Sequence, residues 1–275
     1  MPVIRIGHSP DPDDAFMFYA LTHGKVPLEG VRVEHVLEEI ESLNRRALEG
    51  DLEVTAISCA TYPAVAERYR ILDPGASMGK GYGPIVVARR AYRERTLREK
   101  VIAIPGYGTT ANLLLRLALG DPPIIVCAFD QIPRVVRDRQ ADAGVLIHEG
   151  QITYEALGLR KVLDLGERWT VETGLPVPLG INVIRRDLGE ALGRRLSDAL
   201  RASIRYAQAH VDEALDYALQ YGRGIDRETC RRFVLMYVND YTLALGAEGR
   251  RALETLYRRA VDEELLSAVP PIDPI

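Results

Sequence analysis

Four short stretches of this 275-residue chain carry side chains able to bind or transform a small molecule, and each follows an apolar, strand-like run. The first is Gly7-His8-Ser9-Pro10-Asp11-Pro12-Asp13-Asp14. Its acidic residues hint at a metal, but no glutamate or histidine partner stands at a recognisable spacing and Pro12 restricts the loop. Asp13 as a helix N-cap is the plainer reading, while Asp14 suits a substrate hydroxyl or a backbone amide. The second stretch, Ile57-Ser58-Cys59-Ala60-Thr61-Tyr62, places Ser58 and Cys59 at a strand-to-helix junction. Ser58 is there either a cap or a donor to a ligand oxygen. Pro63 draws the helix start toward Tyr62 and leaves Ser58–Thr61 as loop, which favours ligand contact.

The third stretch, Pro105-Gly106-Tyr107-Gly108-Thr109-Thr110-Ala111, carries the strongest signal. Gly106 and Gly108 allow close backbone approach, and Thr109 and Thr110 open a helix. Free amides and hydroxyls at such an end favour a carboxylate or phosphate; the competing role for Thr109 is simple N-capping. The fourth stretch is Ile147-His148-Glu149-Gly150. An imidazole titrating near neutrality directly after a buried strand is a candidate general base, against the alternative of an incidental loop histidine. His8 is a second such candidate. His23, His35 and His210 lie in surface-like contexts and are expected to be solvated.

Other chemistries fit poorly. Gly106, Gly108 and Ala111 formally match a dinucleotide fingerprint, but no acidic residue ends a following strand at the required spacing. The run Gly75–Gly81 is one residue short of a phosphate loop, with Gly81 where a magnesium-binding hydroxyl belongs. No nucleophile elbow, zincin pair or Cys-His motif occurs. Cys59, Cys127 and Cys230 lack disulfide or zinc spacing. A net charge of −4 with both signs interspersed offers no field for nucleic acid. No apolar run reaches the ~20 residues of a membrane span. The N-terminus enters a strand pattern at once, so we expect a cytoplasmic protein without membrane insertion. The sequence leaves oligomeric state open.

Elements that could hold these loops are legible in the periodicity. The first 70 residues read βαβαβα: strands at 3–7, 31–36 and 52–57, and helices at 15–21, 39–48 (stopped by Gly50) and 64–69. Further strands are expected at 84–89, 101–104, 124–128, 143–147, 162–165 and 180–185, with helices at 111–119 and 132–139. Asp187 and Glu190 suggest a capping box before a long amphipathic helix. Helices at 228–245 and 248–266 follow, and a proline-rich tail forms an extended strap. No linker separates the two α/β blocks. A middle block entered and left through apolar strands predicts an α/β fold of two lobes joined by a double crossover. Residues 1–86 with 184–275 form the larger lobe, 87–183 the smaller, and the C-terminal helices pack on the first lobe. A cleft between such lobes can close on a ligand.

The block His8–Met17, the Ser58 loop, Gly81-Tyr82-Gly83-Pro84-Ile85-Val86, the run Pro105–Ala111 and Ile147–Gly150 together resemble the 1,4-dihydroxy-6-naphthoate synthases of the futalosine route to menaquinone. The likeness runs through motifs from Ile4 to about Arg185, and through length and pattern beyond. It implies a type II periplasmic-binding-protein-like fold and conversion of cyclic dehypoxanthinyl futalosine, a small anionic substrate, to dihydroxynaphthoate. By the resemblance His148 is the proton acceptor, and Ser58, Thr109 and Thr110 hold substrate. Cys59, Gly108, Asp14 and Lys80 are further expected contacts, and Tyr107 and Tyr62 could flank the aromatic ring. No metal, nucleotide or flavin is implied. A solute-binding module for a small carboxylate, or the companion chorismate-acting enzyme of the pathway, are the alternatives with the same lobes.

Overall fold

The computed structural model describes residues 2–275. Eleven strands form two sheets among these residues: β1 (Val3–His8), β2 (Arg32–Leu37), β3 (Val54–Ser58), β4 (Tyr69–Ile71), β5 (Ser77–Gly79), β6 (Ile85–Ala88), β7 (Ile102–Ile104), β8 (Ile124–Val126), β9 (Ala143–Leu146), β10 (Arg160–Asp164) and β11 (Val177–Arg185). The first sheet runs β2-β1-β3-β11-β4, with β5 also paired to β11. Its strands β1, β2 and β3 are parallel, and β11 is antiparallel to its neighbours. The second runs β10-β6-β9-β7-β8, parallel across β9-β7-β8 and antiparallel across β10-β6-β9.

Sheet membership changes between Gly79 and Ile85 and again between Asp164 and Val177. Residues 85–86, grouped by sequence with the larger lobe, pair in the second sheet, and residues 177–183 pair in the first. The two crossovers lie against each other. Leu165 N–H donates to Pro84 O at 3.0 Å, and a Cβ on Gly166 would overlap the Tyr82 carbonyl carbon and the Gly83 amide. Glycine is required there by backbone contact.

The first helix, Pro12–Thr22, is apolar almost all round, and Ala15 to Ala20 are all buried. Such a helix must be covered on both sides. One cover is the first sheet, and the other is the helices Glu190–Ala209, Val211–Ala218 and Arg227–Tyr237. The C-terminal helices therefore do return to the first sheet. The tail lies beside β4: Ile275 N–H donates to Ile71 O at 2.9 Å, and Arg186 grips Asp273 with two bonds of 2.8 Å.

Several local expectations are corrected. Asp11, not Asp13, caps the first helix, because Pro12 takes the first helical position and Asp11 accepts from Asp14 N–H. The predicted helix 64–69 is a single turn, Tyr62–Val65, after which the chain extends into β4. Asp187 pairs with Arg185, and the following helix starts from Gly189 without a side-chain cap. The helix expected over 228–245 ends at Tyr237; Asn239 caps a separate turn, Asp240–Leu243. Strand β5 and the helix Leu165–Thr173 were not foreseen.

Candidate active site

Residues beyond the carboxyl ends of parallel strands gather around one cavity, open to solvent, with about 710 Å³ of empty space in and above it. Strands β1 and β3 deliver Ser9, Asp11, Asp13, Asp14 and Ser58; β7 and β9 deliver Thr109, Thr110, Ala111, Ile147 and His148. This is where open α/β sheets place ligands. Strand β11 closes one wall with Leu179 to Asn182, and Phe233 and Tyr237 add aromatic surface from the C-terminal helices.

His148 sits just after β9 with φ 51°, a left-handed conformation rare for a side chain other than glycine. Its Nδ1 lies 3.0 Å from Asp11 Oδ2, and its ring packs edge-on against Phe129. The imidazole is 16% exposed, and its Nε2 has no protein partner. One nitrogen is thus held by a carboxylate while the other is free to act. Burial alone would raise the Asp11 carboxyl. The facing His148 and hydrogen bonds from neighbours, including Asp14 N–H, outweigh it and hold Asp11 below the ordinary carboxylate value. Asp14 accepts from Ser9 N–H at 2.7 Å, yet burial and the nearby Asp11 charge push it well above that value.

Thr109 caps the helix Thr110–Leu119: its hydroxyl accepts from Asn112 N–H and donates to Gly106 O. Thr110 Oγ1 donates to Leu179 O at 2.6 Å and accepts from Ala60 N–H. Both hydroxyls are committed to the fold. What this end offers a ligand is the first-turn amides that helix geometry leaves unpaired. The Ser58 hydroxyl accepts from Asn44 Nδ2 at 3.1 Å, so its own proton is available. Ser9 and Asn182 also line the cavity, and Ser9 Oγ and Asn182 Oδ1 are buried polar atoms without partners.

Of the residues singled out from sequence, His148, Ser58, Thr109, Thr110 and Asp14 line the cavity. Cys59, Gly108 and Lys80 are not brought there. Cys59 is fully buried in the core, where desolvation pushes its thiol up. Gly108 turns its amide to Glu41 Oε1 at 3.2 Å and its carbonyl to Thr61 Oγ1, and Lys80 is exposed between β5 and β6. Tyr107 is 67% exposed, and Tyr62 is buried with its hydroxyl on Pro271 O; the aromatic wall is Phe233 and Tyr237 instead. His8 is no base: it stacks on Phe18 and faces His35 at 3.1 Å, and burial lowers it to about 3. His35, expected in solvent, is half-buried in that pair and lowered to about 4 by burial.

Sequence reading missed Asp11 as the partner of His148, named Ser9 only as part of the first stretch, and missed Asn182, Gln151 and Tyr237 altogether. The pattern Ser-Pro-Asp-Pro before an apolar helix was a usable signal for Asp11, since proline at the first helical position makes its predecessor the cap. Asp11, Asp13 and His148 place donor atoms within 4.8 Å of one another, the one group among the described residues able to grip a metal ion. The direct His148–Asp11 contact occupies two of those donors with each other.

A family profile described as menaquinone biosynthesis matches residues 4–262. A 1,4-dihydroxy-6-naphthoate synthase from Thermus thermophilus is 44% identical over 271 residues, covering 98% of each chain. A crystal structure of a protein from Archaeoglobus fulgidus superposes with a TM-score of 0.93 at 50% identity, covering 96% of this chain and 98% of that one. The alkanesulfonate-binding protein of Xanthomonas axonopodis superposes at a TM-score of 0.75 with 14% identity, over 99% of this chain and 96% of its own. That likeness establishes the periplasmic-binding-protein-like fold. The first two matches and the profile span nearly the whole chain, and the chain belongs to the menaquinone-biosynthesis family.

Proposed function

We propose that this chain is a 1,4-dihydroxy-6-naphthoate synthase: a carbon–carbon lyase acting on cyclic dehypoxanthinyl futalosine with His148 as its base. The observation that carries the reading is the free Nε2 of a carboxylate-held imidazole in a cavity shared with a helix N-terminus. Membership of the family supports the reaction, and the geometry supports the assignment of roles. Among the described residues no Lys or Arg lines the cavity, so the aryl carboxylate of the substrate is held by the Thr110–Leu119 helix end and the Ser58 hydroxyl. Ile40, Pro84, Ile147, Phe233 and Tyr237 cover its ring.

His148 Nε2 takes the carbon-bound proton next to the ketone, and ionised Asp11 stabilises the imidazolium that forms. The sugar ring opens, the C–C bond cleaves, and aromatisation makes the outcome favourable. Cytoplasmic action belongs to the same reading; among the described residues no helix is long and apolar enough to cross a membrane. Purified protein given the cyclic substrate is expected to yield dihydroxynaphthoate by chromatography. His148→Ala is expected to lose at least ~10²-fold in turnover while still binding product. Stoichiometric binding without product by the wild type, or normal turnover by His148→Ala, sinks the proposal.

A further inference from the structure

We propose that Asn44 is a positioning residue that sets specificity: it fixes the Ser58 hydroxyl as a hydrogen-bond donor, so that this end of the cavity favours a carboxylate over the matching carboxamide. The inference rests on the reading above, since it explains how a group already assigned to the substrate's carboxylate comes to recognise it.

Asn44 stands on the helix Ile40–Glu49, buried with Leu43 and Ala47, and is 1% exposed. A buried amide is costly unless its polar atoms are paired, and those of Asn44 are. Its Oδ1 accepts from Ser58 N–H at 2.8 Å, while Nδ2 donates to Ser58 Oγ at 3.1 Å and to Glu41 Oε2 at 3.2 Å. A backbone N–H can only donate, so the amide oxygen must face it and the NH2 group must face the hydroxyl.

That arrangement sets the direction of the Ser58 hydroxyl. Its oxygen carries one proton and two lone pairs. Asn44 Nδ2 occupies a lone pair, and is the one partner of Ser58 Oγ among the described residues. The proton is therefore turned away from Asn44, and Ser58 lines the cavity where Asn44 does not. A ligand oxygen accepts that proton, and a charged oxygen does so more strongly than a neutral one.

The same side chains reach the other part of the anion site. Glu41 Oε1 accepts from Gly108 N–H at 3.2 Å, so the run Gly108–Glu41–Asn44–Ser58 joins the loop before the helix Thr110–Leu119 to the end of β3. A Cβ on Gly106 would stand 2.3 Å from Glu41 Cδ, and one on Gly108 3.2 Å from Glu41 Oε2 and 3.3 Å from Asn44 Nδ2. Neither glycine lines the cavity. What approaches their backbone closely is this pair of side chains.

Glu41→Gln combined with Asn44→Asp exchanges amide and carboxylate between the two positions. Net charge and shape are kept, and the Ser58 and Gly108 amides keep their acceptors. The Ser58 hydroxyl alone is reversed, its proton drawn to the new carboxylate at position 44. The probes are 1,4-dihydroxy-6-naphthoate and its carboxamide, titrated calorimetrically into the full chain. The exchange is expected to weaken the carboxylate roughly 10- to 100-fold, the loss of a bond to a charged group, and to affect the carboxamide far less. KM for the cyclic substrate should rise by a similar factor with kcat little changed, because a carboxylate held alike in ground and transition states supplies uniform binding. Carried on Ser58→Ala, the exchange should do almost nothing, a result that a merely structural role for Asn44 would not give. Asn44→Ala, which frees the hydroxyl to turn, completes the same cycle if the exchange fails to fold. Carboxylate affinity unchanged by the exchange, or an equal loss with and without the Ser58 hydroxyl, overturns the proposal. Failure of the wild type to form product overturns the reading of the enzyme instead.

Discussion

One carboxylate, Asp11, ties together three features that are separate in the sequence. It caps a helix, receives the Asp14 amide, and holds His148 Nδ1 from the other sheet. Replacing it with asparagine keeps the cap but removes the charge that, in the proposed mechanism, stabilises the imidazolium. We expect Asp11→Asn to lower kcat between about 10- and 10⁴-fold, the upper figure being the loss when a triad aspartate becomes an amide. Since the folded state holds Asp11 below its unfolded value, its pairing stabilises the protein above about pH 4 and is lost as pH falls through the folded value. The acid arm of the wild-type Tm–pH curve should therefore be steeper than that of Asp11→Asn, and equal slopes would contradict the pairing. Residue types alone pointed to His148, Ser58 and the Thr109–Thr110 turn. They could not distinguish Asp11 from Asp13, because which aspartate caps depends on where a proline seats the first helical turn.

At the scale of elements, the site depends on how two crossovers pack. Tyr82-Gly83-Pro84 runs across the first turn of the helix Leu165–Thr173, and Gly166 meets that backbone directly. Backbone cannot yield to a methyl group as a flexible side chain can. Gly166→Ala is expected to cost roughly 1–3 kcal/mol, the usual penalty for overpacking, read as a lower Tm. An alanine variant as stable as the wild type would show that the crossovers separate freely. Most strands were legible because buried runs of Val, Ile and Leu bounded by glycine leave little choice. The exceptions have local causes. Ser77–Gly79 is too short and too polar to signal a strand, and it forms by pairing with β11. The run Ala64–Tyr69 has helix formers, but Tyr69 is drawn into the sheet by β11, with its hydroxyl on Leu52 O at 2.6 Å. Tertiary pairing overrode local preference there.

Across the whole molecule, polar contacts fasten the second sheet's loops to the first lobe. Glu41 accepts from Gly108 N–H, Thr110 donates to Leu179 O, and Tyr237 reaches Gln151. Arg223 likewise pairs with Glu149 at 3.0 Å, donates to Pro10 O at 2.9 Å and lies over the Phe129 ring. Removing its guanidinium leaves the buried Glu149 without this partner, a loss on the order of 1.5–3 kcal/mol for a bond to a charged group. Arg223→Ala is expected to raise KM about tenfold or more, since 1.4 kcal/mol is a factor of ten, with a smaller rise for Arg223→Lys. An unchanged KM would mean that closure does not draw on this contact. The two-lobed plan itself was readable, since apolar strands enter and leave the middle block. The fastening was not, because it joins residues as distant as Pro10, Glu149 and Arg223.

The imidazole and its carboxylate arrive on different sheets, and this has a consequence for when reactivity exists at all. Part the halves, and His148 becomes an ordinary solvated side chain while Asp11 is left facing water. If the halves part to admit and release a ligand, the proposed proton-abstracting pair would exist only while they are together, and an unloaded, gaping protein would display no armed base to the small molecules drifting past it.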